Sequence, residues 1–495
     1  MHLSAITDPP HASTKAEASI VSDPAMAAHT SARSAHWDDV ETRLHSWKGW
    51  GGYYHARLAG LYAFHIAPGL RVLELGCGRG DLLASVAPSR GVGVDFSRRM
   101  IESARLRHPD LEFHHADAHT FEDLGVFDAI ILSDLVNELW DVQAVFERLR
   151  PCCHPGTRVI INSYSRLWEG ILRLAEMLGL AKPVLAQNWL TGDDIAGLLS
   201  LSGFETIRRT REILCPLPVP LLARLANRWL LRLWPLTHLC LTNVLVARPL
   251  PVQRPADPIV TVLVPARNEE GNVPNIFARV PEMGAGTELL FVEGNSTDDT
   301  AGAIQREMER HPGKRCRLIT QPGRGKGDAV RAGFDIAEGD VLMILDADLT
   351  VPPEDLPRFY EALVSGKGDF INGVRLVYPM QDRAMRFFNL LGNKFFSVAF
   401  SWLLGQPVKD TLCGTKVLWK KDYRRIVDNR SYFGDFDPFG DFDLLFGASK
   451  QQLKIVDLPI RYRERTYGDT NIQRWRHGVL LLRMVLFAAR RIKFH

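Results

Sequence analysis

At 495 residues the chain exceeds what one ordinary hydrophobic core organises, so two domains are expected. Hydrophobic residues at 46% and charged residues at 24% are the profile of a folded globular protein, and the near-balanced net charge of +3 argues against a nucleic-acid partner. Seven scattered cysteines, none in a CxxC pair, indicate neither a disulfide framework nor a zinc site and suit a reducing cytoplasm.

Residues 1–36 are rich in Ala, Ser, Thr, His and Pro and lack an apolar run, which predicts a disordered lead-in and no secretory signal. From Trp37 short apolar segments alternate with helical patterns. Strands are expected at 71–75, 91–94, 112–115, 129–132 and 158–162, with two more near 205–214 and 243–247 closing a domain over 37–249. That alternation reads as a parallel sheet covered on both faces. Prolines and a loss of periodicity mark a linker at 250–258. A second alternating series follows at 260–264, 288–292, 317–319 and 341–345, with no internal repeat of the first.

The strongest motif of the first half is Val72-Leu73-Glu74-Leu75-Gly76-Cys77-Gly78-Arg79-Gly80, a buried strand entering a glycine-rich turn that opens a helix. Gly76 and Gly78 let the backbone approach a ligand closely. The spacing is ExGxGxG and not the GxGxxG that shapes a turn for pyrophosphate. Asp95 ends the next strand, where a carboxylate can accept both ribose hydroxyls, and Asp117 ends the third, within reach of an adenine amino group. The fourth strand delivers Ser133 and Asp134, followed by Asn137 and Glu138, to the substrate side of the cleft. Tyr53, Tyr54 and His55 precede the first strand and are expected to lid the pocket.

These residues resemble the class I S-adenosylmethionine-dependent methyltransferases, over roughly Trp50 to Pro249. The resemblance implies a Rossmann-like seven-stranded sheet whose last strand is antiparallel. It also implies an S-adenosyl-L-methionine site formed by Glu74, Gly76, Gly78, Gly80, Asp95, Asp117 and Ser133.

In the second half, Val264-Pro265-Ala266-Arg267-Asn268-Glu269 is a strand ending in a polar loop, and the next strand ends in Val292-Glu293-Gly294-Asn295. Successive strand ends of this kind seat a nucleobase and ribose. Gly323-Arg324-Gly325-Lys326-Gly327 is a basic glycine loop suited to a diphosphate. Leu345-Asp346-Ala347-Asp348 then places two carboxylates on one side of an extended segment, where Asp346 and Asp348 can share a Mg²⁺ or Mn²⁺ ion.

This half is similar to the family 2 glycosyltransferases with the GT-A fold, over 259–473, and within them to the dolichol-phosphate mannosyltransferase branch. The branch-level match lies in Asp410-Thr411-Leu412-Cys413-Gly414-Thr415-Lys416, in Asp441-Phe442-Asp443, and in Arg465-Thr466-Tyr467-Gly468-Asp469-Thr470. It implies a nucleotide-diphosphate sugar donor held by Pro265, Arg267, Asn268, Glu269, Glu293, Lys326 and Asp346. It also implies catalytic roles for Asp410, Lys416, Asp443 and Arg465. Two departures stand out: Glu293-Gly294 replaces the usual Asp pair, and Asn471 replaces a common Lys. A phosphomonoester acceptor is already anionic at pH 7, so cations matter more than a base. Arg375, Lys416, Arg465 and Arg474 are the candidates, with Arg375 and Arg474 expected on the acceptor phosphate. Asp443 either acts as base or orients one of those arginines.

Three segments are apolar and basic, and none has the ~18 uninterrupted apolar residues a spanning helix needs: 217–236 within an insertion near 215–241, 387–404, and the stretch 474–495. Arg224, Arg228 and Arg232 recur every four residues, and Arg476, Arg483 and Arg490 every seven, as on basic amphipathic helices at a membrane surface. The expected enzyme is thus bifunctional and peripheral on the inner face of the cytoplasmic membrane. It would transfer a hexose to a polyprenyl phosphate with inversion, in the making of a cell envelope glycan, and methylate an acceptor. The alternative is transfer to a sugar hydroxyl, with the first domain a non-catalytic S-adenosylmethionine-binding or docking module.

Overall fold

The computed structural model describes residues 24–44, 51–178, 185, 187–250, 257–375, 387–432, 441–460, 467 and 474–494. The chain divides into two compact α/β units, Met1–Pro249 and Leu250–His495, each with its own sheet and core.

The first sheet has seven strands: β1 Arg71–Leu75, β2 Arg90–Asp95, β3 Glu112–His115, β4 Phe127–Ser133, β5 Cys153–Tyr164, β6 Phe204–Glu212 and β7 Thr242–Pro249. Their order is β3-β2-β1-β4-β5-β7-β6, parallel through β5, with β7 antiparallel between β5 and β6. The central strands are apolar on both faces because helices cover both. Leu73, Leu75, Ile130 and Leu132 enter one core, and Val72, Ala129 and Ile131 the other, by the two-residue alternation of a strand. Side-chain caps start several helices. Ser97 Oγ accepts the Met100 N–H at 3.2 Å and Asp141 accepts the Ala144 N–H at 3.0 Å. Thr191 and Asp194 form a reciprocal capping box.

Two expectations for this unit are corrected. Residues 24–36, read as disordered, belong to a helix, Pro24–Leu44. Polar contacts fix it: Ser97 Oγ to Asp38 at 2.5 Å, Arg79 Nε to Glu41 at 2.6 Å and Ser34 Oγ to the Phe96 carbonyl at 3.2 Å. Its alanines favour helix, but it lacks a broad apolar stripe, so periodicity gave no sign of it. The basic segment 217–236 is not one amphipathic helix. It forms a short helix, Leu222–Arg228, and two 3₁₀ turns. Arg224 and Arg228 are exposed, whereas Arg232 turns inward onto Glu212 at 2.8 and 3.0 Å.

The second sheet also has seven strands: β8 Val260–Ala266, β9 Thr287–Glu293, β10 Arg315–Thr320, β11 Val341–Ile344, β12 Phe370–Val374, β13 Lys416–Trp419 and β14 Ile455–Pro459. The order is β10-β9-β8-β11-β13-β12-β14, with β13 antiparallel to both neighbours and all other pairs parallel. Phe277, Phe291, Phe359 and Leu345 are fully buried in its core. The last helix, Arg474–Ala488, packs on Phe387–Leu404. Met484, Ala488 and Ile492 are buried, and Lys493 Nζ lies 5.6 Å from the centre of the Trp402 ring. Leu482, Arg483, Leu486 and Arg490 of this segment stay exposed. No helix among the described residues is long and apolar enough to cross a membrane.

Gly80 starts the helix Asp81–Ser85 at φ 75°, and a Cβ built there would lie 2.5 Å from Cζ of buried Phe113. Gly80→Ala should therefore destabilise the first unit by about 1–3 kcal/mol, from left-handed strain plus overpacking. Thermal melting would check this, with a lowered first transition expected.

Candidate functional sites

The first site lies at the carboxyl ends of β1, β2 and β3. In β3-β2-β1-β4 the connections diverge on either side of β1, which leaves a crevice above that strand. It is lined by Gly76, Asp95, Asp117, His119, Leu135 and Glu138 and roofed by His29, Thr30 and Arg33 of Pro24–Leu44. A Cβ on Gly78 would meet no protein atom within 4 Å, so the backbone there faces open space. Asp95 accepts the N–H of Gly78 at 2.9 Å and of Ser97 at 2.8 Å. Burial nonetheless pushes its carboxyl up to about 6. Asp117 accepts from His119 Nδ1 at 2.6 Å and from Thr30 Oγ1 at 2.9 Å. Burial works to raise Asp117, but the His119 bonds outweigh it and hold it below the usual carboxylate range.

Asp95, Asp117 and Gly76 thus meet at one crevice, and its carboxylates fit a nucleoside with a charged tail. Four expected members stand outside its lining, Gly78 among them. Glu74 is buried behind it, with one carboxylate oxygen unpartnered and its carboxyl raised well above the usual range by burial. Gly76 and Gly80 are glycines for packing reasons, since Cβ atoms would strike Leu135 and Phe113. Gly80 itself does not reach the cavity, and Ser133 ends β4 beside Tyr62. The lid is the helix Pro24–Leu44. Of the residues expected to form one, Tyr54 is buried against Asp134, Tyr53 Oη accepts from Asn227, and His55 is exposed. Sequence reasoning missed His119, for which the spacing Asp117-x-His119 is the only local sign.

The second site lies at the carboxyl ends of β8, β9 and β11, where the strand order again reverses beside the first strand of the sheet. Asn268, at φ 58°, ties the two polar loops together. Its N–H donates to Ser296 Oγ at 3.0 Å and its Oδ1 accepts the Thr297 N–H at 2.8 Å. Glu293 is buried and accepts the Ser296 N–H at 2.6 Å, Glu269 is buried and accepts from Asn272, and Arg267 is exposed beside half-buried Pro265. Lys326, at the start of the helix Lys326–Ile336, reaches Asp346 at 2.5 Å. Burial works to raise the Asp346 carboxyl, yet Lys326, with Lys416 and Arg375 further off, holds it below the usual range. Asp348 accepts from the Thr350 hydroxyl at 2.8 Å. The Tyr467 ring sits against Gly271, beside the donor loop.

Several expected roles change. Asp410 clamps Arg375 through Nε at 2.7 Å and Nη2 at 2.9 Å, so it anchors that arginine and is not poised to meet substrate. Two of the three guanidinium nitrogens of Arg375 are thereby committed. Lys416 is fully buried with Nζ on the Cys413 carbonyl, so its charge acts on Asp346 through space only. Asp443 pairs with Arg430 at 3.0 Å, beside a cavity lined by Ile426, Asn429, Gly447 and Lys450 and by none of the donor-site residues. Its partner is thus an arginine outside the set considered from the sequence. Among the described residues no three metal-ligating side chains cluster. Asp346 and Asp348 therefore supply at most two protein carboxylates. Arg465 and the Arg474 side chain lie outside the described residues.

Residues 72–156 match the family model "Methyltransferase domain", and residues 261–423 match "Glycosyl transferase family 2". The chain carries these two enzymatic domains in that order. It is 26% identical over 216 residues to undecaprenyl-phosphate 4-deoxy-4-formamido-L-arabinose transferase of Sodalis glossinidius, covering 43% of this chain and 62% of the relative. It is 27% identical over 229 residues to glycosyltransferase AglJ of Haloferax volcanii, covering 46% and 71%. The chain thus spans about three fifths of the length of the first of these curated relatives. An S-adenosylmethionine-dependent methyltransferase from Mesorhizobium loti aligns at 22% identity over 38% of this chain and 95% of its own. Its TM-score of 0.30 is too low to carry an argument.

Two predictions follow the electrostatics. With Asp95 as the acceptor of ribose hydroxyls, a role that requires its ionised form, S-adenosylmethionine affinity should be full above pH 7 and fall as the pH drops through about 6; calorimetry across pH 5–8 would read it. In the other site, Lys326→Met removes the cation opposing burial, so the Asp346 carboxyl should titrate at higher pH than in the parent. Carbon-13 NMR of labelled aspartates is the measurement.

Proposed function

We propose that the second unit transfers a hexose from a nucleotide-diphosphate sugar to a polyprenyl phosphate, with inversion, and that the first unit methylates an acceptor using S-adenosylmethionine. The observation that carries the first reading is the convergence of Lys326, Asp346 and Asp348 at the β8–β11 switch point, flanked by the Asn268 and Glu293 loops. Lys326 meets donor phosphates, the two loops take the base and ribose, and Gly325 lets the chain bend tightly around the diphosphate at φ 84°. Asp346 and Asp348 would hold a Mg²⁺ or Mn²⁺ ion through hard carboxylate oxygens, and the chemistry supplied there would be neutralisation of charge on the departing nucleoside diphosphate.

Acceptor chemistry follows from the charges. Arg375, oriented by Asp410 at 2.7 and 2.9 Å, is assigned to the acceptor phosphate on its charge and its place after β12, with Arg465 and Arg474 as the further cations that the resemblance implies. A phosphate needs no base, which agrees with the retirement of Asp443 to Arg430. The polyprenyl class is supported by the Sodalis relative, whose name specifies undecaprenyl phosphate. A peripheral seat on the inner face of the cytoplasmic membrane is supported by exposed Phe395, Val398, Trp402, Leu482 and Leu486 near exposed Arg483 and Arg490.

The test is a screen of nucleotide sugars with Mn²⁺ and undecaprenyl phosphate in detergent. Transfer should occur, and Asp348→Asn should reduce it by about 10²-fold or more while sparing S-adenosylmethionine binding. Arg465→Ala should cost more turnover than Asp443→Asn, chiefly through the acceptor KM. Glycosylation of a sugar hydroxyl with none of the lipid phosphate would overturn the acceptor.

A further inference from the structure

At the end of β4 the chain turns through Asp134, a non-glycine residue in the left-handed region at φ 54°. Such a conformation persists only where the surroundings over-determine it. Here Tyr54 Oη donates to its two carboxylate oxygens at 3.1 and 3.0 Å and Asn162 Nδ2 donates to Oδ1 at 2.6 Å, while the Tyr164 hydroxyl is a third partner. Asn162 Oδ1 accepts from Tyr62 Oη at 2.7 Å, and Thr242 Oγ1 lies 3.4 Å from Tyr54 Oη. The helix Gly51–His65, β4, β5 and β7 are thus all tied to one carboxylate. Tyr54 and Tyr62 are buried, whereas part of Asp134 remains accessible.

The position matters as much as the network. Leu135, the next residue, packs on Gly76 and lines the nucleoside cavity together with Glu138 and Leu139. Asp134 thus directly precedes that lining on the β4 side, near enough to Glu138 to feel its charge, while Asp95 and Asp117 occupy the β2 and β3 side.

We infer that Asp134 is the proton acceptor of the methyl transfer and that the methyl acceptor is a neutral hydroxyl, of the kind a sugar carries. This rests on the reading of the unit as a methyltransferase. As the acceptor oxygen forms its bond to the methyl carbon, the carbon–sulfur bond breaks and its electron pair stays on sulfur. The acceptor O–H bond also breaks, its pair stays on the ether oxygen, and the proton passes to the Asp134 carboxylate. A carboxylate acceptor has no proton to lose and would be repelled by Asp134 and Glu138. Burial, reinforced by the Glu138 charge, pushes the Asp134 carboxyl up to about 7 against its Tyr54, Tyr164 and Asn162 donors, which suits proton uptake near neutral pH.

The experiment uses the full chain, labelled S-adenosylmethionine and three probes: octyl β-glucoside, octylamine and octanoate. The glucoside should yield a methyl ether, at a rate that falls as the pH drops through about 7. Asp134→Asn should lower turnover by about 10²–10⁴-fold and leave S-adenosylmethionine affinity by calorimetry within about twofold. Tyr54→Phe removes one donor to the ionised form, so both the rate midpoint and the Asp134 carbon-13 titration should move to higher pH. A methylated amine, a methyl ester, no product from the glucoside, or an Asp134→Asn enzyme that keeps its acidic limb would each overturn the inference. Loss of S-adenosylmethionine binding by the parent would instead sink the methyltransferase reading itself.

Discussion

Everything functional in this chain depends on one constraint, the reversal of strand order beside the first strand of each sheet. Right-handed crossovers place successive helices on a fixed side, so where the order turns back, adjacent connections diverge and cannot fill the space above the strand ends. The β1–β4 and β8–β11 boundaries are those two places. Gly76, Asp95 and Asp117 reach the first crevice, and Asn268, Glu293 and Asp346 the second, because each follows a parallel strand that ends there.

The two crevices then diverge in charge. Both hold buried carboxylates, but those of the first unit have hydrogen-bond donors and few cations as neighbours. At Asp95 and Asp134 burial dominates and the carboxyls sit above the usual range, whereas His119 holds Asp117 below it. In the second unit Lys326 and Arg375 stand against Asp346 and Asp410 and reverse the sign. A crevice in which carboxylates outweigh the single Arg33 suits a sulfonium cation, and one carrying lysine and arginine suits a diphosphate. The ligand classes proposed for the two units thus differ for the same electrostatic reason that their carboxyls do.

The positively charged residues also separate into those that face ligands and those that hold architecture. Lys416 and Arg232 are spent on buried carbonyl and carboxylate partners, and Arg375 is half committed to Asp410. Counting arginines along a helical face overstated the surface charge of the insertion, because burying an unpaired carboxylate such as Glu212 costs more than turning one arginine inward.

The sequence by itself determined the two units, the order of most strands, the glycine turn after β1 and the acidic ends of β2, β3 and β11. These are local signals, carried by strand periodicity and by residue types that a tight turn or a strand end requires. Only the tertiary structure decided which of the motif residues meet. Glu74 and Gly80 belong to the same nine-residue motif as Gly78, yet one is buried behind the cavity and the other is held by Phe113, a ring from a different strand. Asp443 pairs with Arg430, and Asp134 with Tyr54 from a helix and with Asn162 and Tyr164 from a strand about a hundred residues further on. The helix Pro24–Leu44 escaped notice for a related reason, since single polar bonds to Asp117, Phe96 and Ser97 hold it and no apolar period announces it. Such partnerships depend on distance across the fold, and nothing in the spacing of residues along the chain encodes that distance.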